Sequence, residues 1–170
     1  PGPLYPVNHN ATSVMGLKSY PSLREIPEHV DLACIVVPAH RVEDVVKDAI
    51  VTGTSSLVVI SAGFSETGRE ELIRLEKEMI QIARRAGIRV IGPNCMGLYC
   101  PEGGLAWTPE FPESSGPVGL ISQSGQLAGH FVSIAESKGV RFSKVVSYGN
   151  AGDLQYHEFL DYLAWDEKTK

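Results

Sequence analysis

Four short segments carry residue types that can bind or react. Ser122-Gln123-Ser124-Gly125 follows the apolar run Pro117-Val118-Gly119-Leu120-Ile121 and precedes a helical pattern. A strand that feeds a Ser/Gly turn into a helix offers free backbone N–H groups at the positive end of the helix dipole, which suits a phosphate. The same serines would serve as plain helix caps. The turn lacks the Gly-Lys-Ser/Thr ending of a P-loop and the Gly-x-Ser-x-Gly of a nucleophile elbow. In Gly92-Pro93-Asn94-Cys95-Met96-Gly97 two glycines bracket a sharp turn, and Asn94 can bond backbone or ligand. Cys95 has a nucleophile's chemistry but no activating histidine nearby in sequence, and the default for such a thiol is a buried, inert one. In Val37-Pro38-Ala39-His40 the proline ends strand pairing, and small residues leave room for a flat ring such as adenine. The plain alternative is a strand end with His40 on a helix-start surface. In Ile60-Ser61-Ala62-Gly63-Phe64-Ser65-Glu66, Gly63 lets a ligand approach the backbone, and Ser61 with nearby N–H groups suits a phosphate or an amide. The plain alternative is a helix lead-in capped by Ser65 or Thr67.

Other chemistries find less support. The five histidines (His9, His29, His40, His130 and His157) show no metal-ligand spacing, so no metal is expected. The formal net charge is −5 with no Lys/Arg run, which argues against nucleic acid as partner. The aromatics form no stacking ladder. Three cysteines without metal spacing suggest a reducing, cytoplasmic compartment. No apolar run reaches the ~18 residues of a membrane span, and no signal peptide pattern is seen.

The elements that must hold these segments follow from periodicity. Asp31–Val37 is a short apolar run ending at Pro38, as expected of a buried parallel strand. Val42, Val45, Val46, Ala49 and Ile50 lie on one helical face, and Gly53 is a helix stop. The pattern repeats with a strand over 57–60, a helix marked by Leu72, Leu75, Met79, Ile82, Ala83 and Ala86, and a third strand over 88–91. This alternation predicts βαβ units and a parallel sheet, with ligands beyond the strands' carboxyl ends. Periodicity fails between Tyr99 and Gly116, and a domain boundary is expected near residue 114. A second βαβ pattern then begins. It has a strand over 117–121, a helix with Leu127, Phe131, Ile134 and Ala135 on one face, a strand over 142–147, and a last helix opened by Gly149-Asn150-Ala151-Gly152-Asp153. Pro1–Asn8 reads as a strand already under way, and both ends read as cuts in a longer protein.

In order, these segments resemble one family. Tyr5-Pro6-Val7-Asn8, Gly16-Leu17-Lys18-Ser19-Tyr20-Pro21-Ser22-Leu23 and Ile26–Ala33 look like the second half of a CoA-binding Rossmann domain. Val37-Pro38-Ala39, Ile60–Glu66 and Gly92–Gly97 continue it. Ile121–Gly125 and Ser147-Tyr148-Gly149-Asn150-Ala151-Gly152-Asp153 look like the start of a succinyl-CoA-ligase-like domain. The set is similar to the NDP-forming acyl-CoA synthetases, among them the ADP-forming acetyl-CoA synthetases, which are related to the succinyl-CoA synthetase alpha subunit. The resemblance covers almost the whole chain and does not specify the acyl substrate.

The resemblance implies an α/β fold: residues 1–113 as part of a CoA-binding Rossmann-like domain, and 114–170 as the start of a flavodoxin-like domain. It implies a reversible reaction in which acyl-CoA, NDP and phosphate give a carboxylic acid, CoA and NTP, through acyl phosphate and phosphohistidine. By the same resemblance Pro38, Ile60, Ser61, Ala62, Asn94 and Cys95 contact CoA. Ser122, Gln123, Ser124 and Gly125 stabilise the phosphorylated histidine. The implied partners are CoA, a short-chain or aryl acid and an ATP-grasp domain or subunit that takes ADP/ATP with Mg, in an oligomer.

The chain also departs from the pattern. The family's first strand and Gly-rich CoA loop would precede residue 1, so weak CoA binding is expected of this chain alone. Val7-Asn8 is followed by His9-Asn10 where the family often has Pro-Lys. None of the five histidines fits the phosphorylated one, which is expected downstream, so this chain alone is expected to be inactive. Two other readings compete: a non-catalytic CoA or nucleotide sensor of the same fold, and an NAD(P)-binding domain. The latter predicts Gly-x-Gly-x-x-Gly and an acidic residue about 20 positions on, which these residues lack.

Overall fold

The computed structural model describes residues 2–170. Its first parallel sheet has the order β3-β4-β5, with β3 at Leu32–Ile35, β4 at Ser56–Val59 and β5 at Arg89–Ile91. Pairing runs Leu32 to Ser56 through Ile35 to Val59, and Ser56 to Arg89 through Val58 to Ile91. Two helices link these strands, α1 (Ala39–Thr52) and α2 (Glu70–Arg85). Gly53 ends α1 with φ 74°, a left-handed position that costs glycine little, and its N–H closes on Ala49 and Ile50 carbonyls. Glu70 and Glu71 open α2 and Arg84 and Arg85 close it, each matching the helix dipole.

Both faces of this sheet are covered. On one, Val42, Val46 and Ala49 of α1 and Met79, Ile80 and Ala83 of α2 pack on Ile35, Leu57, Val59 and Val90. On the other, Val58, Ile91 and Cys95 pack against Val146 and Phe159 from further along the chain. Parallel strands buried on both faces read as continuous apolar runs, which is how they showed in the sequence.

The second sheet has the order β6-β8-β7, with β6 at Gly97–Tyr99, β7 at Val118–Ser122 and β8 at Phe142–Ser147. β7 and β8 are parallel and joined by α3 (Gly125–Ser137), and α4 (Tyr156–Trp165) follows β8. β6 pairs antiparallel with β8, Gly97 opposite Ser147. Thus a strand that precedes the irregular segment 100–116 joins the sheet that follows it.

Three expectations need correction. The strand expected over Pro1–Asn8 does not form among the described residues 2–8; Val7 makes an isolated bridge to Tyr20, and Pro1 lies outside the described residues. A small hairpin of β1 (Ser13–Val14) and β2 (Leu17–Lys18) follows. The face Leu127, Phe131 and Ile134 of α3 is exposed, at 52%, 52% and 62%; Ala128 and Val132 are the residues it buries. Gly149–Asp153 does not open α4, which starts at Tyr156 behind a capping box of Gln155 and Glu158.

Candidate functional site

Because β3, β4 and β5 run parallel, the loops that leave them meet on one rim, where open α/β sheets take ligands. After β3, exposed Pro38 stands at the N-cap of α1. It supplies no side-chain cap, and the first turn of α1 contains no acidic residue. The first N–H groups of that helix therefore meet no carboxylate from their own turn, which favours an anion.

After β4 the loop is laced to the end of β3. Ile60 N donates to Ile35 O at 3.0 Å. Ser61 is buried, and its hydroxyl donates to Val37 O at 2.5 Å. That hydroxyl holds two strand ends together, so a ligand at this point meets exposed Ala62 and backbone instead. Gly63 has φ 100°, and a Cβ there would sit 3.4 Å from Ala39 Cβ, so the two loops are in contact range. Phe64 is fully buried and pins the loop to the core. Glu66 closes it: its carboxylate accepts Gly63 N at 2.5 Å and Phe64 N at 3.1 Å. Partial burial opposes ionisation of Glu66, but hydrogen bonds from Asn150 and these N–H groups outweigh it and hold its pKa below the ordinary value.

After β5, Asn94 is exposed in the left-handed region at φ 56°, and its N–H donates to Ser61 O at 2.9 Å. Cys95 turns inward, its Sγ 3.4 Å from Val59 O. Burial pushes the thiol up to about 12, which disfavours the thiolate at neutral pH. Pro38, Ile60, Ser61, Ala62, Asn94 and Cys95 thus lie on three contiguous loops of one rim.

The Ser122–Gly125 turn lies at the carboxyl end of β7. The capping alternative is realised there, since Ser124 Oγ accepts from Leu127 N at 3.2 Å, and Ser122 Oγ donates to Ser124 O at 2.9 Å. Gln123 is exposed and its carbonyl accepts Gly149 N at 3.2 Å. Gly125 rests on Met96, whose side chain occupies the space a Cβ would need. The turn is therefore a neighbour of the β5 loop.

Two residues at the junction of the sheets were not singled out from sequence. Asp153 has a fully buried carboxylate that accepts Arg84 Nε at 2.5 Å, Arg89 Nε at 3.0 Å and Val90 N at 2.8 Å. Asn150 reaches Asn94, Glu66, Glu76 and Ser65. Their partners lie more than 50 residues away, so no local pattern could mark them. An apolar cavity of about 470 Å³ between β6, β8 and α4, walled by Tyr99, Val146, Phe159 and Leu163, is separate from both predicted sites. Among the described residues no His, Cys, Asp or Glu side chains cluster as a metal site, and all five histidines are exposed. No helix there is long and apolar enough to cross a membrane.

Known proteins share this pattern. A family model described as CoA binding domain matches residues 1–101, and one described as succinyl-CoA ligase like flavodoxin domain matches 115–170. The alpha subunit of acetate–CoA ligase [ADP-forming] II from Pyrococcus furiosus is 41% identical over 99% of this chain and 37% of its own length. The acetate–CoA ligase [ADP-forming] of Methanocaldococcus jannaschii is 40% identical over 99% of this chain and 24% of its own length. The chain therefore spans well under half the length of these two relatives. Among solved structures, the dinucleotide-forming acetyl-coenzyme A synthetase 1 of Ca. Korarchaeum cryptofilum, in complex with phosphate and ADP, superposes with a TM-score of 0.87 and 38% identity, over 97% of this chain and 35% of that one.

Proposed function

The chain belongs to the CoA binding domain family, and on that footing we propose that it is the CoA-binding portion of an NDP-forming acyl-CoA synthetase. The reaction of the complete enzyme is acyl-CoA plus NDP and phosphate to carboxylic acid, CoA and NTP. The observation that carries the reading is the convergence of three strand-end loops on one rim, with small exposed residues and a carboxylate-free helix start. We place the division between the two domains near residue 114.

CoA is an anion at its nucleotide end and a string of amides along its arm, and the residues present fit both. The uncapped start of α1 behind Pro38 suits a phosphate. Ile60 through Gly63 and Asn94 give an edge rich in backbone groups beside the small Ala62 and Gly63, with the Glu66 carboxylate already engaged by the Gly63 and Phe64 N–H groups, which suits the amide arm. When bound, CoA supplies the thiol that receives or releases the acyl group. Ser61 and Cys95 keep the rim in shape from below. The Ser122–Gly125 turn opens α3 without an acidic residue in the first turn, and it would stabilise a phosphorylated histidine supplied from outside these residues. An ATP-grasp domain or subunit would take the nucleotide; one relative is named as a subunit alpha.

Ala62→Glu tests this. Ala62 is exposed, so the change costs the fold little, yet it sets a long carboxylate side chain on the edge that the amide arm would line. Calorimetry with CoA on the protein that carries this sequence should show affinity at least about tenfold weaker, ~1.4 kcal/mol. Unchanged CoA affinity in Ala62→Glu would remove the rim as the CoA site.

A further inference from the structure

We propose that Asn150 is a positioning residue for CoA binding: it stands in the second unit and holds two loops of the CoA rim in their binding shape. This rests on the CoA reading above. Asn150 itself touches no predicted CoA contact except Asn94, so its action runs through its neighbours.

The geometry is specific to a side-chain amide. Asn150 Oδ1 accepts from Asn94 Nδ2 at 3.2 Å. Its Nδ2 lies 2.6 Å from Glu66 Oε2, 3.0 Å from Glu76 Oε2 and 3.2 Å from Ser65 Oγ. Its own N–H donates to Pro93 O at 2.9 Å. One residue thus bonds the β5 loop through Pro93 and Asn94, the β4 loop through Ser65 and Glu66, and α2 through Glu76.

Glu66 is the link that matters. The carboxylate that Asn150 grips also accepts the N–H groups of Gly63 and Phe64, directly after Ala62. Glu76 is buried, and its Oε2 accepts Ser65 N at 3.0 Å as well. Between two carboxylates the amide supplies the donor that lets both keep their loop contacts. Without it Glu66 and Glu76 repel, Glu66 turns to water, and Gly63 and Phe64 lose their acceptor. An aspartate at position 150 would keep the shape and add a third negative charge. Gln at position 66 would then restore a donor to the pair and could still accept from Gly63 and Phe64.

The experiment uses Asn150→Asp, Asn150→Ser and the double variant Asn150→Asp with Glu66→Gln, in the protein that carries this sequence. Amide hydrogen exchange at Gly63 and Phe64 in the CoA-free protein is the first readout, and CoA affinity with the KM–kcat split the second. Asn150→Asp should speed exchange at both amides and weaken CoA about tenfold or more. KM for CoA should rise while kcat at saturating CoA is kept. The double variant should recover part of the exchange effect at Gly63 and Phe64, the remainder reflecting the carboxylate at position 150 that still faces Glu76. Asn150→Ser, uncharged and too short to reach Glu66, should show the same exchange effect if Asn150→Asp does not fold. Folded variants with wild-type exchange at Gly63 and Phe64 overturn the proposal. If the wild type itself binds no CoA, the CoA reading falls, and the exchange measurement still decides whether Asn150 holds the loop.

Discussion

The two sheets obey the same strand–helix alternation and end up with different burial. In the first, Leu57, Val58 and Val59 of β4 are at most 2% exposed, and α1 hides Val42, Val46 and Ala49 completely. In the second, the central strand β8 is buried as well, but every residue of the edge strand β7 is only half-buried, and α3 turns Leu127, Phe131 and Ile134 to the outside. Apolar periodicity predicts which residues can share a face; it does not say whether anything covers that face. The first sheet supplies a stiff floor for the rim above it, and the second is tied to it through β6, Asn150 and Asp153.

If stability resides in the first sheet, substitutions should rank accordingly. Leu57→Ala empties space in a closed core and should cost about 2–5 kcal/mol, measured by urea unfolding. A loss below ~1 kcal/mol would break the comparison.

Asp153 comes next, at the seam. Asp153→Ala leaves the buried Val90 N–H without an acceptor and should cost about 1–3 kcal/mol. The half-exposed arginines can turn to water, which limits the loss. Burial alone would raise this carboxyl's pKa, yet Arg89, the Val90 N–H and Arg84 hold it below the ordinary value. Its contribution is therefore whole above the unfolded value of about 3.9 and fades as pH falls through the lower folded value. Wild type should lose stability in that acid window, and Asp153→Ala should lose less of it.

The smallest effect belongs to the open face. Phe131→Ser should change stability by less than ~0.5 kcal/mol, measured by urea unfolding. A core-sized loss would mean that this face is covered.

Much of the first sheet was legible because its strands are short apolar runs and its helices carry clean stripes ending at glycines. β6 was not, since Gly97-Leu98-Tyr99 is three residues long and finds its partner β8 across the irregular segment. The rim's location followed from strand direction, whereas the roles within it did not. The resemblance implies CoA contacts for Ser61 and Cys95; in the structure their side chains bond the carbonyls of Val37 and Val59, and Cys95 is buried. Asn150 and Asp153 sat in a segment read as a helix opening, and only long-range packing gives them partners.

The central claim, that CoA binds at the carboxyl ends of β3, β4 and β5, is tested most directly by mapping amide chemical shifts on CoA addition. The account predicts changes concentrated in residues 36–41, 60–66 and 92–96. Changes centred instead on residues 122–126, or on the apolar cavity beside α4, would contradict it.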